Sequence, residues 1–266
     1  MYEKFFGLRE KPFNVTSDPS FFYLSRRHRE AFSYLVYGIS ERKGILEITG
    51  EVGTGKTTLC RTLLNHLDKK TKTAFILNPN FSEVQLLQAV VEDFGIVTKQ
   101  RSRIGFIQAL NKFLLEESSA GRNVVLIIDE AQNLKTNQLE QVRLFSNLET
   151  EKEKLLQIIL VGQPELHHKL KLPELRQLTQ RISVRYHILP LDRDELEDYI
   201  NHRLRIAGSN GSLKIQPESY DRVFQFSKGV PRLINILYDR ALLACFVKES
   251  KDITADIIEK CIEELE

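Results

Sequence analysis

Two kinds of apolar pattern alternate along the first two-thirds of the chain. ILEIT (45–49), TAFILN (73–78), VVLII (124–128) and LLQIILV (155–161) are short apolar runs of the kind that form strands buried on both faces. Between them, apolar residues return at helical spacing. Leu59, Leu63, Leu64 and Leu67 make one such stripe, and Leu86, Leu87, Val90 and Val91 another. The second stripe follows Ser82, which opens its helix with Gln85 at capping-box spacing. Ile104, Ile107, Leu110, Phe113 and Leu114 mark a longer helix over about 102–118, and Leu139, Val142, Phe145 and Leu148 the next. A further helix is expected around Leu175 to Ile182, before VRYHI (184–188) alternates as a fifth strand. Strands alternating with helices predict an α/β fold with a five-stranded parallel sheet covered on both faces.

At LPLD (189–192) the pattern changes. Asp192, with Glu195 three residues on, opens a helix ending near Gly208; Pro217 opens another, closed by Gly229. Pro231 opens a third, running from Leu233 to Val247, and a last one runs from about Thr254 to the end. No strand pattern remains after residue 190. The expected organisation is an aromatic-rich N-terminal arm (1–40) packing on an α/β domain (41–190), followed by a small all-helical domain (191–266).

With 266 residues, 42% hydrophobic and 28% charged, the composition is that of a soluble globular protein. The net charge of +2 offers no general attraction to nucleic acid or membrane. Cys60, Cys245 and Cys261 form no CxxC pair and read as reduced thiols. The start, MYEKFFGLREKPF, has charges where a signal peptide needs its apolar core, and no apolar run is long enough to span a bilayer. A cytoplasmic protein is expected, or one held at the inner face of a membrane through something else.

The decisive stretch is GEVGTGKTT, Gly50-Glu51-Val52-Gly53-Thr54-Gly55-Lys56-Thr57-Thr58, which meets the spacing G-x-x-x-x-G-K-[ST] between a strand and a helix. Its glycines let backbone amides converge on phosphate oxygens, and the following helix N-terminus adds positive potential. Lys56 is expected to reach the β- and γ-phosphates and Thr57 to hold Mg²⁺. Asp129 and Glu130 end the VVLII strand. The aspartate can hold the Mg²⁺ shell as a Walker-B residue does, and the glutamate can polarise an attacking water. No NKxD-type guanine-reading tetrad occurs, which points to ATP. Gln163, past the fourth strand in LVGQPEL, could meet the γ-phosphate or that water. Charge developing on the transferred phosphoryl calls for an arginine. Arg176, Arg181 and Arg185 lie ahead of and within the fifth strand, and Arg232, in GVPR, opens a helix of the last domain.

This order resembles an AAA+ ATPase, a P-loop αβα sandwich with a helical lid. KPFNVTSDPSFFYLSRRHREAFSYLVYGI, TGEVGTGKTTL, LIIDEAQNL, LVGQPEL, LRQLTQRISVRYHILPL and GVPRLINIL together resemble the ExeA/GspA (general secretion pathway protein A-like) family over essentially the whole chain. The resemblance implies that Gln163 is the sensor-1 residue, Arg181 the finger reaching a neighbouring subunit and Arg232 sensor 2. It implies a self-assembling ATPase serving a cell-envelope secretion, pilus or polysaccharide-export machine. Longer members continue into a membrane-spanning segment and a peptidoglycan-binding region, and the stop at Glu266 is expected to mark a short form. The alternative is an ATP-switched DNA-binding regulator of the TniB/TnsC type.

Other signals are weaker. Tyr2, Phe5, Phe6, Phe13, Phe21, Phe22 and Tyr23 crowd the N-terminus, as a cover for adenine, a docking strap or simply a packed arm. Arg26-Arg27-His28-Arg29 and Lys99, Arg101 and Arg103 are local basic clusters, able to meet phosphates or to form a solvated face. His167-His168 lacks a second ligand pair at metal spacing.

Overall fold

The computed structural model describes residues 1–151 and 153–265. The chain divides into two compact units, one made of Glu30–Val52 and Leu59–Ile188, the other of Met1–Arg29, Gly53–Thr58 and the chain from Leu189 onward.

The first unit holds a five-stranded sheet of β1 (Ile45–Gly50), β2 (Lys72–Ile76), β3 (Val124–Ile128), β4 (Gln157–Gly162) and β5 (Ile182–Ile188), in the order β2-β3-β4-β1-β5 and parallel throughout. The three inner strands are buried along their whole length, as their mostly apolar runs require. At the edge, β5 buries Ile182 and Ile188 and exposes Ser183, Arg185 and His187. Helices Glu83–Asp93, Arg103–Ser119 and Thr136–Phe145 cover the sheet through Leu86, Leu87, Val90, Val91, Phe106, Leu110, Leu114, Leu139, Val142 and Phe145. Burying each such side chain is worth about 1.5–3 kcal/mol, so the periodic stripes fix which helix face turns inward. Ser82 caps helix Glu83–Asp93 in the expected capping box with Gln85. The helix expected over 175–182 forms only a turn, Arg176–Thr179, because strand pairing claims the chain from Ile182. A seven-residue helix with no sequence expectation, Pro164–Leu170, follows β4.

The second unit gathers the C-terminal helices Leu196–Ile206, Pro217–Ser227, Pro231–Val247 and Ala255–Glu263 around Leu196, Ile200, Ile234, Leu237, Tyr238 and Ile258. Asp192 and Glu195 form the expected capping box, and Thr254 caps the last helix. The region is helical as expected, with one addition: Lys214–Ile215 and Asp252–Ile253 pair as a short parallel ladder, each segment too short to show a period. The N-terminal segment, expected against the α/β domain, buries Tyr2, Phe6, Phe13 and Phe21 in this helical core. Phe13 and Tyr238 lie 4.9 Å apart, and the Arg203 guanidinium donates to Pro12 O at 2.6 Å and Asn14 O at 3.0 Å. Aromatic side chains carry the largest apolar area per residue, and the helices offer it a face on which Arg203 also satisfies the segment's carbonyls.

Among the described residues, no helix is long and apolar enough to cross a membrane.

Candidate functional site

Three neighbouring strands, β3, β4 and β1, deliver the polar residues singled out in the sequence from the carboxyl edge of one parallel sheet, the edge where open α/β sheets bind ligands. The phosphate-loop sequence leaves β1 at Gly50, Asp129 and Glu130 leave β3, and Gln163 leaves β4.

Gly50 is buried at the strand end, Glu51 and Val52 are exposed, and the loop then takes left-handed φ at Gly53 (+82°) and Gly55 (+91°) before helix Lys56–His66 begins. A side chain would clash at Gly53 and would be tight at Gly55, and at both the left-handed backbone would strain it. A Cβ on Gly53 would lie 2.5 Å from Arg232 Cβ, and one on Gly55 would lie 3.2 Å from His28 Nε2. Left-handed residues interspersed with ordinary ones turn successive amides to one side, forming a concavity for anions. The carbonyls then face the other way, and two are held there. Arg232 N–H donates to Gly53 O at 3.2 Å, and the His28 ring meets Thr54 O at 2.8 Å. Thr54 is buried, Lys56 is only 6% exposed, and Thr57 and Thr58 are half-buried. Leu59, Cys60 and Leu63 are fully buried behind them and anchor the helix. This cradle fits a polyphosphate.

At the tip of β3, Asp129 is 1% exposed and extends the pairing with β2 by donating its N–H to Ile76 O at 2.9 Å. Its Oδ1 accepts the Glu130 N–H at 2.9 Å. Glu130 has φ +52°, a left-handed setting that costs a non-glycine residue about 1–2 kcal/mol. Gln163 Nε2 donates to Glu130 Oε2 at 3.2 Å, and Gln132 Nε2 donates to the same oxygen. Gln132 Oε1 in turn accepts the Gln163 N–H at 3.1 Å, so one amide ties the two strand tips together. Lys169 Nζ holds the turn by donating to Leu134 O at 2.9 Å and to Gln132 O. Sequence reasoning brought Glu130 and Gln163 forward and missed Gln132. The signal for it was its place two residues past the glutamate, within LIIDEAQ. Neutral amide donors orient a carboxylate while leaving it able to take a proton, as a general base must.

The arginines separate. Arg185 is committed within its own chain, its Nε donating to Glu47 Oε2 at 3.1 Å and its Nη2 to Thr179 O at 2.6 Å. Glu47 lies 1% exposed in the middle of β1, where an unpaired carboxylate would be costly, and His167 Nδ1 also reaches it at 3.0 Å. Arg176 is exposed, Arg181 is half-buried one residue ahead of β5, and Arg232 is exposed at the start of its helix beside Gly53. The basic run 26–29 is only partly turned outward, with Arg29 exposed and Arg27 half-buried. Arg26 pairs with Asp194 at 2.7 Å and Asp192 at 3.2 Å, and His28 is buried. Lys99 and Arg101 are exposed, and Arg103 donates to Gln141 at 2.8 Å. No group of three metal-ligating side chains occurs among the described residues.

The family model described as AAA domain matches residues 39–170. General secretion pathway protein A of Aeromonas hydrophila is 43% identical over 254 residues, which is 95% of this chain and 46% of that protein. The chain thus spans about half the length of the curated relative it matches. Among solved structures, the ORC2 protein of Aeropyrum pernix in its ADPNP-ADP complexes aligns with a TM-score of 0.72 at 17% identity, over 96% of this chain and 72% of that one. Cdc6p of Pyrobaculum aerophilum aligns at 0.71 and 18% identity, over 92% and 70%. The RuvB branch migration motor of Thermotoga maritima aligns at 0.59 and 17% identity, over 90% and 68%. At these identities the solved structures share the fold alone. With the AAA domain match, the AAA fold and the extent of its identity to general secretion pathway protein A, the chain belongs to the AAA+ ATPases of the general secretion pathway protein A-like family.

Proposed function

We propose that this chain binds ATP with Mg²⁺ and hydrolyses it as a self-assembling ATPase that supports a cell-envelope secretion, pilus or polysaccharide-export machine. The observation carrying the reading is the Glu130 carboxylate, held at the tip of β3 by the amides of Gln163 and Gln132, directly after the buried Asp129. The secretion assignment draws on the similarity to general secretion pathway protein A of Aeromonas hydrophila.

In this reading the amides of Gly50–Thr58 and the Lys56 ammonium bind the phosphates, and Arg232 adds positive charge beside the loop. Thr57 and Asp129 would hold Mg²⁺, which when bound neutralises charge on the phosphate oxygens. Glu130 takes the proton of the attacking water, and Gln163 and Gln132 fix the direction from which it does so. Purified protein should release phosphate from ATP, and only with a divalent cation present. Absence of both binding and release would overturn the reading.

Arg181 is our choice for the arginine acting on a neighbour's nucleotide, because Arg185 is spent on Glu47. Activity per subunit should rise with protein concentration. Arg181→Ala and Lys56→Ala should each be inactive alone, and mixing them should restore activity, since an intact Lys56 site can then face an intact Arg181. No recovery in mixtures that demonstrably co-assemble would mean that Arg181 does not act across the interface.

From the basic run 26–29 the DNA-regulator reading loses Arg26, which is ion-paired, and His28, which is buried. The three cysteines are free and buried, in keeping with the reducing cytoplasm where we place the chain.

A further inference from the structure

The carbonyls of an anion-binding loop need partners as much as its amides need a ligand, because a buried carbonyl left without a donor is costly. For Gly53 O the partner is a backbone N–H. For Thr54 O it is a side chain, His28, which is 3% exposed and has no part in the proposed chemistry.

The hydrogen bonds define the state of that ring. Thr54 O can only accept, so Nε2, 2.8 Å away, carries a hydrogen. Nδ1 lies 2.7 Å from Ser25 Oγ. Burial holds the His28 pKa below the ordinary histidine range, against smaller raising influences from the bond to Thr54 and the charge of Glu195. A neutral ring with its hydrogen on Nε2 leaves Nδ1 to accept from the Ser25 hydroxyl.

The ring is also fixed in place. Ser25 is the cap of helix Arg26–Ser40, its carbonyl accepting the Arg29 N–H at 2.8 Å and its Oγ accepting the His28 N–H at 3.3 Å. Glu195 Oε1 accepts the Arg26 N–H at 2.8 Å, and the Arg26 guanidinium holds Asp192 and Asp194. The first turn of this helix is therefore tied to the capping turn at Asp192–Glu195. Phe22 meets the His28 ring edge-on at 5.0 Å, and both rings back the Cα of Gly55.

We infer that His28 is a positioning residue for the phosphate loop: its Nε2–H on Thr54 O, with its ring and Phe22 behind Gly55, holds the loop amides facing the phosphate site before nucleotide arrives. The inference deepens the ATP-binding reading and rests on it for its consequence, but the pin itself can be measured without nucleotide.

The test compares His28→Gln with His28→Asn. A glutamine amide reaches about as far as Nε2 and can still donate to Thr54 O, whereas an asparagine amide stops near the Nδ1 position. In nucleotide-free protein, hydrogen exchange at the amides of 53–58 should quicken about tenfold in His28→Asn, the scale of one lost hydrogen bond to a buried acceptor, and stay near wild type in His28→Gln. ATP and ADP affinity should fall about tenfold in His28→Asn and less than about threefold in His28→Gln, with similar thermal midpoints for the two variants. Equal behaviour of the two, whether both impaired or both unimpaired, would overturn the inference. Wild-type protein gives an independent reading that needs no variant: ring nitrogen NMR should find His28 protonated on Nε2 and not on Nδ1 near neutral pH. The other tautomer, or a ring titrating in the ordinary histidine range, would also overturn it. Exchange and ring signals are read without nucleotide, so a wild type that shows the pin but fails to bind ATP would sink the proposed function and leave the pin standing.

Discussion

Glu130→Gln should bind ATP as wild type does and release phosphate at least about a hundredfold more slowly, the scale of a lost general base. A hundredfold is about 2.7 kcal/mol of barrier. The substitution isolates basicity because it keeps shape. A glutamine at 130 retains an oxygen that can accept from Gln163 and Gln132, and it occupies the same left-handed backbone position at φ +52°. Asp129, whose Oδ1 accepts the residue's N–H, keeps its own contact as well. The effect should therefore fall on kcat, with ATP affinity within about threefold of wild type, the signature of an interaction realised only in the transition state. Phosphate release in single-turnover and steady-state assays, beside direct ATP titration, measures both. Unchanged turnover in purified Glu130→Gln would remove Glu130 from the mechanism.

The sequence carried the inner sheet and the helix starts because their causes are local. VVLII becomes Val124–Ile128 as written, since a strand buried on both faces has no polar position to obscure it. Ser82 with Gln85, Asp192 with Glu195, Pro217 and Pro231 mark helix starts through chemistry that acts within one turn. What could not be read depends on partners remote in sequence. Arg185 looked as available as Arg181 until Glu47, 138 residues earlier, was found to hold it. Residues 26–29 read as a basic cluster because nothing nearby announces Asp192, Asp194 and Glu195 as the partners of Arg26. Pro164–Leu170 went unseen as a helix because its seven residues offer only Leu166 and Leu170 as an apolar period. Gln132 has a role only through the strand order that sets Gln163 beside Glu130. His28 matters through its tertiary contact with Thr54.

Lys56→Ala should abolish measurable ATP and ADP binding. Lys56 opens its helix at 6% exposure, directly after the left-handed Gly55, so its ammonium is a charge held in a mostly desolvated place. Charge-assisted bonds are roughly twice as strong as neutral ones, and fewer donors there would face the most highly charged part of the ligand. Arginine should not rescue. Its planar fork is larger than an ammonium, and the loop is closed from behind by Arg232 and His28. Binding is best read through stability, because a ligand that binds only the folded state stabilises it by about 2.7 kcal/mol at a hundred times its Kd. Wild type heated with excess ATP should unfold several degrees higher than without it, whereas Lys56→Ala and Lys56→Arg should unfold at their own nucleotide-free temperatures. Those baseline temperatures also report whether either variant has simply failed to fold. The pair Lys56→Ala and Glu130→Gln then divides the proposed activity, one variant losing affinity and the other losing turnover at full affinity. An ATP-dependent rise in Lys56→Ala equal to that of wild type would mean that the nucleotide is held elsewhere and that GEVGTGKTT is a structural turn.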